Sequence, residues 1–215
     1  MKIKLPELLK VTRDTGARYY VTPEGNKYPS VTTVLSEPKK KQIKKWRDWV
    51  GEKEADRIKN FSAKRGSMFH ALCENYLTGT IFSNDLGIIF DQFKPLLNRI
   101  TKIQCLEQHL YSDELRVAGQ VDCVAEFDNF PFIIDFKTSS KLKAREHIWD
   151  YFMQASAYSY MLLERTGIDI PNLAILISCE KPETCQIFID KRDNWLQGFR
   201  DFRAQYNEFL LDVAA

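Results

Sequence analysis

The spacing of apolar and polar residues divides the chain into segments with helical periodicity and segments with strand alternation. From residue 62 onwards the predicted order is helix, helix, three strands, helix, two strands and helix, and Ser62 is the expected N-cap of the first of these helices. This order predicts an α/β fold in which helices flank a mixed central sheet. The predicted elements are a hairpin over residues 18–35, helices over 40–59, 62–77 and 88–101, strands over 103–112, 115–127 and 130–137, a helix over 146–166, strands over 173–179 and 185–189, and a helix over 195–211.

Residues 121–137 predict a β-hairpin. Val, Ile and Phe dominate both limbs, and the Asp128-Asn129 dipeptide between them tolerates the positive φ of a two-residue turn. Counting back from this turn places Asp122 directly opposite Asp135. The hairpin therefore predicts two carboxylates side by side on one face of the sheet, while the opposite face is apolar and packs as core.

Two facing carboxylates repel each other unless a positive charge lies between them. Mg²⁺ and Mn²⁺ prefer oxygen ligands of this kind, so we expect Asp122 and Asp135 to bind a divalent cation. Lys137 shares their face and is expected to orient or deprotonate a water, or to hold a phosphate. Two acids, a metal and a lysine suggest phosphodiester hydrolysis. On these residues alone, a surface hairpin with solvated Asp and Lys side chains remains the alternative.

Glu107 is a further candidate ligand. The strand over residues 103–112 leads through Asp113-Glu114 into the next strand, and a two-residue turn there would set Glu107 opposite Gln120, on the face that carries Asp122. Glu107 would then bind the metal directly or through water. A slip of one residue in the register would turn its side chain to the other face.

Five motifs, all in the matching order, resemble those of the PD-(D/E)XK nuclease superfamily in its RecB-like branch. They are GQVD at 119–122 (GxxD), IIDFKTS at 133–139 (DxK), RGSMFH at 65–70 (RGxxxH), Gln154 with Tyr158 (QxxxY), and YPSVTTVLS at 28–36 with Trp46 after it. The last of these is similar to the opening of the mitochondrial genome maintenance exonuclease family and its phage relatives. A lone DxK motif is weak, but the ordered set is specific.

The resemblance implies a restriction-endonuclease-like αβββαβ core with an N-terminal hairpin and helical cap. It implies that His70 binds the metal or positions the reacting phosphate, although by its spacing alone His70 could be an ordinary buried histidine. It further implies that the Phe136 carbonyl helps to bind the metal and that Arg65 contacts a phosphate at a helix start. Gln154 and Tyr158 project from one helical face, towards the lysine and the metal or towards the nucleic acid.

Positive charge is concentrated in the N-terminal part of the chain. Residues 1–65 hold 17 Lys and Arg against 8 Asp and Glu, whereas the remainder holds 14 against 21. Within this part, residues 38–49 interleave lysines with tryptophans, which favours a helix that grips a nucleic-acid backbone and offers a stacking surface. Trp46 is expected in the core instead, and residues 138–143 form a second basic loop. The predicted nucleic-acid contacts are Lys41, Lys44, Lys45, Trp49 and Lys141.

The remaining composition excludes several classes of protein. Five cysteines without a CxxC pair argue against a disulfide framework and a zinc ribbon, and their positions do not resemble the four-cysteine iron-sulfur pattern of some RecB-like nucleases, so we expect no iron-sulfur cluster. No apolar run is long enough to cross a membrane, and the N-terminus lacks a secretory signal. We expect an intracellular, cytoplasmic protein of a bacterium or a phage-infected host, with the mitochondrial matrix less favoured.

The sequence thus predicts a single nuclease domain over residues 1–215, with a basic cap (1–60), a catalytic core (61–190) and a C-terminal helix (191–215). A monomer is favoured. The expected activity is that of a Mg²⁺- or Mn²⁺-dependent DNA exonuclease, and the resemblance implies single-stranded DNA degraded from a free end during replication, repair or recombination. Two alternatives remain open: an endonuclease of the same fold that acts on duplex or structured DNA, and a non-catalytic nucleic-acid-binding subunit.

Overall fold

The computed structural model describes residues 3–13 and 17–214, and it describes side chains as far as residue 206. Short N-terminal strands come first, a helical region follows, and the larger sheet with its helices comes last. In order they are β1 (Leu9–Thr12), β2 (Arg18–Val21), β3 (Lys27–Pro29), α1 (Val31–Ser36), α2 (Lys40–Val50), α3 (Glu52–Thr78), α4 (Ile88–Asp91), α5 (Lys94–Leu97), β4 (Ile100–Ser112), β5 (Val117–Phe127), β6 (Phe130–Ser139), α6 (Trp149–Thr166), β7 (Asn172–Cys179), β8 (Thr184–Lys191) and α7 (Leu196–Ala214).

The central sheet has five strands in the order β4-β5-β6-β7-β8. The β6–β7 pair is parallel and its neighbours are antiparallel, so the predicted mixed sheet flanked by helices is confirmed. Phe69 and Phe93, from α3 and the start of α5, pack against one face of this sheet, while Phe152 of α6 packs against the other. No helix within the described ranges is long and apolar enough to cross a membrane.

The β5–β6 hairpin forms as predicted. Asp128 and Asn129 have φ values of 52° and 69°, and the strands pair from Phe127–Phe130 back to Cys123–Ile134. The ladder ends there, so the expected direct pair of Asp122 and Asp135 does not belong to it. The face predicted to be apolar packs as core, and helices also cover the acidic face, where they bury residues such as Val124 and Ile133 completely.

The register between β4 and β5 differs from the prediction. The connecting turn comprises residues 113–116 rather than two residues, and the ladder shifts again between Thr101 and Cys105. His109, not Glu107, therefore pairs with Gln120. The difference amounts to two positions, and because side chains alternate with a period of two, Glu107 keeps the face on which it was predicted.

The segment after β3 is a helix and not the predicted continuation of a strand. Ser30 caps this helix, α1, by accepting a hydrogen bond from the Thr33 amide at 3.0 Å. Val31, Val34 and Leu35 recur at helical spacing and are buried, so their packing overrides the strand preference of β-branched residues. A bridge between Ser30 and Ala118 of β5 joins the N-terminal sheet β1-β2-β3 to the central sheet.

The helical region breaks at a different place from the one predicted. Gly51, with φ 87° and ψ 146°, separates α2 from α3, which then continues without interruption to Gly79. A conformation of this kind is open to glycine and costly for other residues, so the break follows the glycine. The predicted cap at Ser62 is wrong, because Ser62 lies within α3, and Arg65 therefore lies in the middle of a helix and not at its start.

The C-terminal elements agree closely with the prediction. Helix α6 ends at Gly167, which has φ 72°, and β7 and β8 follow with a turn between them.

The helix expected over residues 88–101 instead consists of the two short helices α4 and α5, and β4 already begins at Ile100.

Candidate active site

A cleft of about 930 Å³ opens where α3, α6 and the N-terminal sheet meet the central sheet. Most of the residues predicted for catalysis or metal binding line this cleft, although α3, β4–β6 and α6 are far apart along the chain. Asp135 and Phe136 are not part of the lining. The predicted residues that line it are His70, Glu107, Gln120, Asp122, Lys137, Gln154 and Tyr158.

Asp122 lies on β5 and is 5% exposed. The Phe136 amide donates a hydrogen bond to Asp122 Oδ2 at 2.7 Å, while Asp122 Oδ1 lies 3.4 Å from His70 Nδ1. Burial raises the pKa of Asp122, and the charges of His70 and Lys137 oppose that rise only in part. One oxygen of the carboxylate is thus held by the backbone and the other faces His70.

Asp135 lies on β6 and is 2% exposed. Lys137 Nζ is 2.5 Å from Asp135 Oδ2, and Gln154 Nε2 donates to Asp135 Oδ1 at 3.0 Å. Burial raises the pKa of Asp135 to about 6, against the opposing charge of Lys137. Burial by itself would lower the pKa of Lys137, but the charges of Asp135 and Asp122 outweigh it and raise that pKa above its usual value. Lys137 is therefore an ammonium ion at neutral pH.

His70 and Glu107 meet beside Asp122. His70 Nδ1 lies 3.2 Å from Glu107 Oε1, and one ligand atom from each of His70, Glu107 and Asp122 lies within 4.8 Å of the others. Burial lowers the pKa of His70, but the nearby Asp122 and Glu107 carboxylates outweigh it and raise that pKa overall. Two carboxylates and an imidazole form a donor set for a divalent cation.

Tyr158 packs directly on β5. A Cβ atom added at Gly119 would lie 2.7 Å from Tyr158 Cε1 and 2.8 Å from the Tyr158 hydroxyl, so only glycine leaves room for this ring. Tyr158 is 4% exposed and belongs to the core as well as to the cleft wall. Phe136 contributes its amide to Asp122, and the predicted role of its carbonyl as a metal ligand stays a prediction.

The predicted nucleic-acid contacts on α2 and after β6 lie outside the cleft lining. Their side chains are solvent-exposed, and Trp49 is 83% exposed. Trp46, expected in the core, is half-buried. These exposed residues are Lys41, Lys44, Lys45, Trp49 and Lys141.

Arg65 has a different environment from the one expected of a phosphate contact. It is 8% exposed, its Nη1 lies 2.8 Å from Glu180 Oε1, and its Nε donates to Thr138 Oγ1 at 3.1 Å. Its side chain therefore ties α3 to the end of β6 and to the turn after β7. A contact with phosphate stays a prediction for this residue.

Several residues of the cleft were not singled out from the sequence. Tyr151 precedes Gln154 by three positions on the same face of α6, and its ring centroid lies 5.2 Å from Lys137 Nζ. Helical spacing could have identified it. Ser30 and Thr32 lie in the YPSVTTVLS motif, which carried the resemblance but was not assigned to the site. No comparable signal marks Glu7, Arg18 and Tyr20, which reach the cleft through tertiary packing. The overlooked lining residues are Glu7, Arg18, Tyr20, Ser30, Thr32, Glu74, Asp150 and Tyr151.

Comparison with known proteins gives three findings. A family profile described as the PD-(D/E)XK nuclease superfamily matches residues 88–209, more than half of the chain. The mitochondrial genome maintenance exonuclease 1 proteins of Homo sapiens and Mus musculus are each 28% identical over 148 residues, which cover 62% of this chain. The match covers 43% of the human protein and 44% of the mouse protein, so this chain spans less than half the length of these relatives.

One solved structure, the crystal structure of SSO0001, aligns with 77% of this chain and 70% of its own, with 13% identity and a TM-score of 0.39. A likeness of that extent bears on neither substrate nor mechanism.

Proposed function

Since this chain belongs to the PD-(D/E)XK nuclease superfamily, we propose that it hydrolyses phosphodiester bonds of DNA with the help of Mg²⁺ or Mn²⁺. The observation that carries the proposal is the cluster of His70, Glu107 and Asp122 ligand atoms in the same cleft as the Lys137–Asp135 ion pair. A metal-binding group beside a buried lysine supports phosphodiester hydrolysis, because the metal would polarise the phosphate and activate water while the lysine orients the reacting groups.

The donor atoms fit a hard divalent cation. Asp122 and Asp135 are buried carboxylates on neighbouring strands, and the charge of Asp122 adds to the rise that burial causes in the pKa of Asp135. Like charges this deeply buried are unfavourable without a compensating cation. Asp122, His70 and Glu107 would hold the metal. Asp135 and the Phe136 carbonyl would supply further oxygen ligands. A bound divalent cation supplies neutralisation of the charge that builds on the phosphate and lowers the pKa of a coordinated water.

The other residues act by orientation. Lys137, charged and fixed by Asp135, donates hydrogen bonds to the attacking water or to a phosphate oxygen. Gln154 holds Asp135 through its amide, so that the carboxylate cannot rotate freely. Tyr158 closes the wall behind Gly119 and excludes water from that side. These three roles need no movement of the backbone.

We also propose that the substrate is single-stranded DNA, degraded from a free end in replication, repair or recombination. The names of the human and mouse relatives support an exonuclease. The exposed lysines of α2 and the exposed Trp49 supply a positive surface with one stacking ring, which suits an unpaired strand.

The test is cleavage of an end-labelled single-stranded oligonucleotide with Mg²⁺. We expect cleavage that stops in EDTA and that Lys137→Ala and Asp135→Asn reduce by several orders of magnitude. Lys102→Ala serves as the control, because Lys102 is exposed and pairs with Glu126 away from the cleft. Undiminished cleavage by Lys137→Ala or Asp135→Asn would refute the assignment.

A circular single-stranded substrate separates the two modes of cleavage. An exonuclease leaves the circle intact, whereas an endonuclease of the same fold opens it. Binding of the oligonucleotide without any metal-dependent turnover would instead indicate a non-catalytic subunit.

A further inference from the structure

Arg18 is a cation of the cleft that pairs with no carboxylate in the part of the chain whose side chains are described. It lies on β2, is half-buried and lines the same cleft as His70 and Lys137. Among the residues whose side chains the structure describes, 3–13 and 17–206, no carboxylate forms an ion pair with its guanidinium. A half-buried charge is costly to leave uncompensated, so this position favours an anionic ligand.

The guanidinium is held in one orientation. Arg18 Nη2 donates a hydrogen bond to Thr32 Oγ1 at 2.9 Å, and Thr32 follows the Ser30 cap in α1. The backbone of Arg18 is fixed at both ends, since its amide donates to Thr33 Oγ1 at 3.0 Å and its carbonyl accepts from the Ser30 amide at 2.8 Å. A preorganised arginine loses little conformational entropy when it binds a ligand.

The charges around the cleft make this arginine distinctive. Arg18 and Lys137 are the arginine and lysine side chains of the described lining, and Lys137 Nζ already pairs with Asp135. Burial and the charge of Asp122 raise the pKa of Tyr158, whereas the charge of Arg18 lowers it. Tyr158 therefore lies within electrostatic range of both Asp122 and Arg18. Five carboxylates share the lining: Glu7, Glu74, Glu107, Asp122 and Asp150.

We propose that Arg18, oriented by Thr32, binds a backbone phosphate of the nucleic acid other than the phosphate that is hydrolysed. The planar guanidinium presents paired N–H donors that match phosphate oxygens. This contact would hold the strand against the N-terminal sheet while the scissile phosphate lies at His70 and Asp122. The proposal rests on the proposed function, because it assumes a nucleic-acid substrate in this cleft.

The first experiment measures binding of a fluorescein-labelled oligothymidylate in EDTA, where hydrolysis is arrested, at several salt concentrations. We expect Arg18→Ala to weaken binding by roughly ten- to a hundredfold and to reduce the slope of log K against log salt by about 0.7, the value for one phosphate contact on a single strand. Arg99→Ala is the matched control. Arg99 pairs with Asp128 at the far end of the hairpin, and removing it should leave the slope unchanged.

The second experiment locates the contact. One phosphate at a time is replaced by an uncharged methylphosphonate, and binding of each oligonucleotide is measured for the wild type and for Arg18→Ala. We expect one position whose replacement weakens binding by the wild type but not by Arg18→Ala, as for any pair of groups that interact directly. An identical profile for both proteins, together with an unchanged salt slope, would overturn the proposal.

Two further variants cover the case in which Arg18→Ala does not fold. Thr32→Val removes the orienting hydroxyl and keeps the charge, and Arg18→Lys keeps the charge but loses the planar fork. In both variants, replacing the contacted phosphate by a methylphosphonate should weaken binding less than it does in the wild type. The slope of log K against log salt should stay near that of the wild type. If neither variant alters that profile, the proposal is wrong.

Steady-state kinetics separate this proposal from the proposed function. A phosphate contact made equally in the ground state and the transition state raises KM and leaves kcat nearly unchanged, whereas a defect in the fold reduces both activity and stability. If the wild type shows no Mg²⁺-dependent cleavage, the proposed function fails. If cleavage is intact and Arg18→Ala changes neither KM nor the binding profile, the Arg18 contact alone fails.

Discussion

Substitution of Gly119 by alanine tests whether the glycine of the GQVD motif is required by the Tyr158 ring. The added Cβ would lie 2.7 Å from Tyr158 Cε1 and 2.8 Å from the hydroxyl, distances that side-chain carbons do not tolerate without movement. Tyr158 is 4% exposed and packed within the core, so its ring has little room to retreat. Overpacking of this kind costs about 1–3 kcal/mol.

The expected change is a lower unfolding temperature. For a chain of this length, about 1–3 kcal/mol corresponds to a decrease of roughly 2–12 °C in Tm. The direction is informative, because an alanine inside a strand is otherwise at least as favourable as glycine. Thermal unfolding followed by circular dichroism measures the change. Gly66→Ala is the matched control: Gly66 lines the same cleft from within α3, an added Cβ meets no other group within 4 Å, and alanine should stabilise the helix by about 1 kcal/mol.

A double-mutant cycle identifies the cause. If the ring of Tyr158 is what Cβ meets, Gly119→Ala should cost less than about 0.5 kcal/mol in a Tyr158→Ala background. Two results would refute the reasoning. One is a Gly119→Ala protein that unfolds at or above the wild-type temperature, and the other is the same destabilisation by Gly119→Ala whether or not the tyrosine is present.

Three further predictions concern other parts of the site. Gln154→Ala removes the amide that holds Asp135, so the Mg²⁺ concentration for half-maximal cleavage should rise by roughly 10–100-fold, and an unchanged Mg²⁺ titration would contradict this role. Arg65→Ala leaves Glu180, whose side chain is 26% exposed, without its partner and should destabilise the fold by about 1–3 kcal/mol in chemical denaturation, whereas a phosphate-binding arginine would lose affinity with stability unchanged. Trp49→Ala should leave Tm unchanged because the ring is 83% exposed, and it should weaken oligonucleotide binding by about 1–3 kcal/mol if a base stacks there; equal affinity would exclude the stacking surface.

The parts of the fold that local chemistry determines were predictable from the sequence. The β5–β6 hairpin depends on two adjacent residues, Asp128 and Asn129, that tolerate positive φ, and on limbs rich in β-branched and aromatic residues. The end of α6 at Gly167 depends on one residue that adopts the left-handed conformation without strain. In both cases the signal and the structure lie within a few positions of each other.

The parts that depend on distant packing were not predictable in the same way. Residues 31–35 have the composition of a strand, and only the burial of Val31, Val34 and Leu35 against the core makes them a helix. The neighbours of Glu107 depend on the length of the turn at residues 113–116 and on the register shift near Thr101, neither of which a short motif encodes. Arg18 reaches the cleft because an entire N-terminal sheet docks on β5.

The backbone at Glu107 connects the register of the sheet with the chemistry of the cleft. Glu107 has φ 45°, a conformation that glutamate adopts at a cost of roughly 1–2 kcal/mol and that asparagine or glycine would adopt more readily. The conformation sets the Glu107 carboxylate 3.2 Å from His70 Nδ1, and the same His70 atom lies 3.4 Å from Asp122.

Three separate local costs therefore meet at one point of the molecule: a strained glutamate, a buried Asp122 and a buried Asp135 whose pKa is raised to about 6. Each of them alone has an ordinary structural explanation, such as a bulge or a buried ion pair. Independent packing constraints do not explain why these features lie together, because acidic groups that are close to each other make each other's burial less favourable. A bound cation would offset the cost of burying acidic groups beside each other, and this effect, more than any single ligand distance, supports a metal-dependent active site in our proposal.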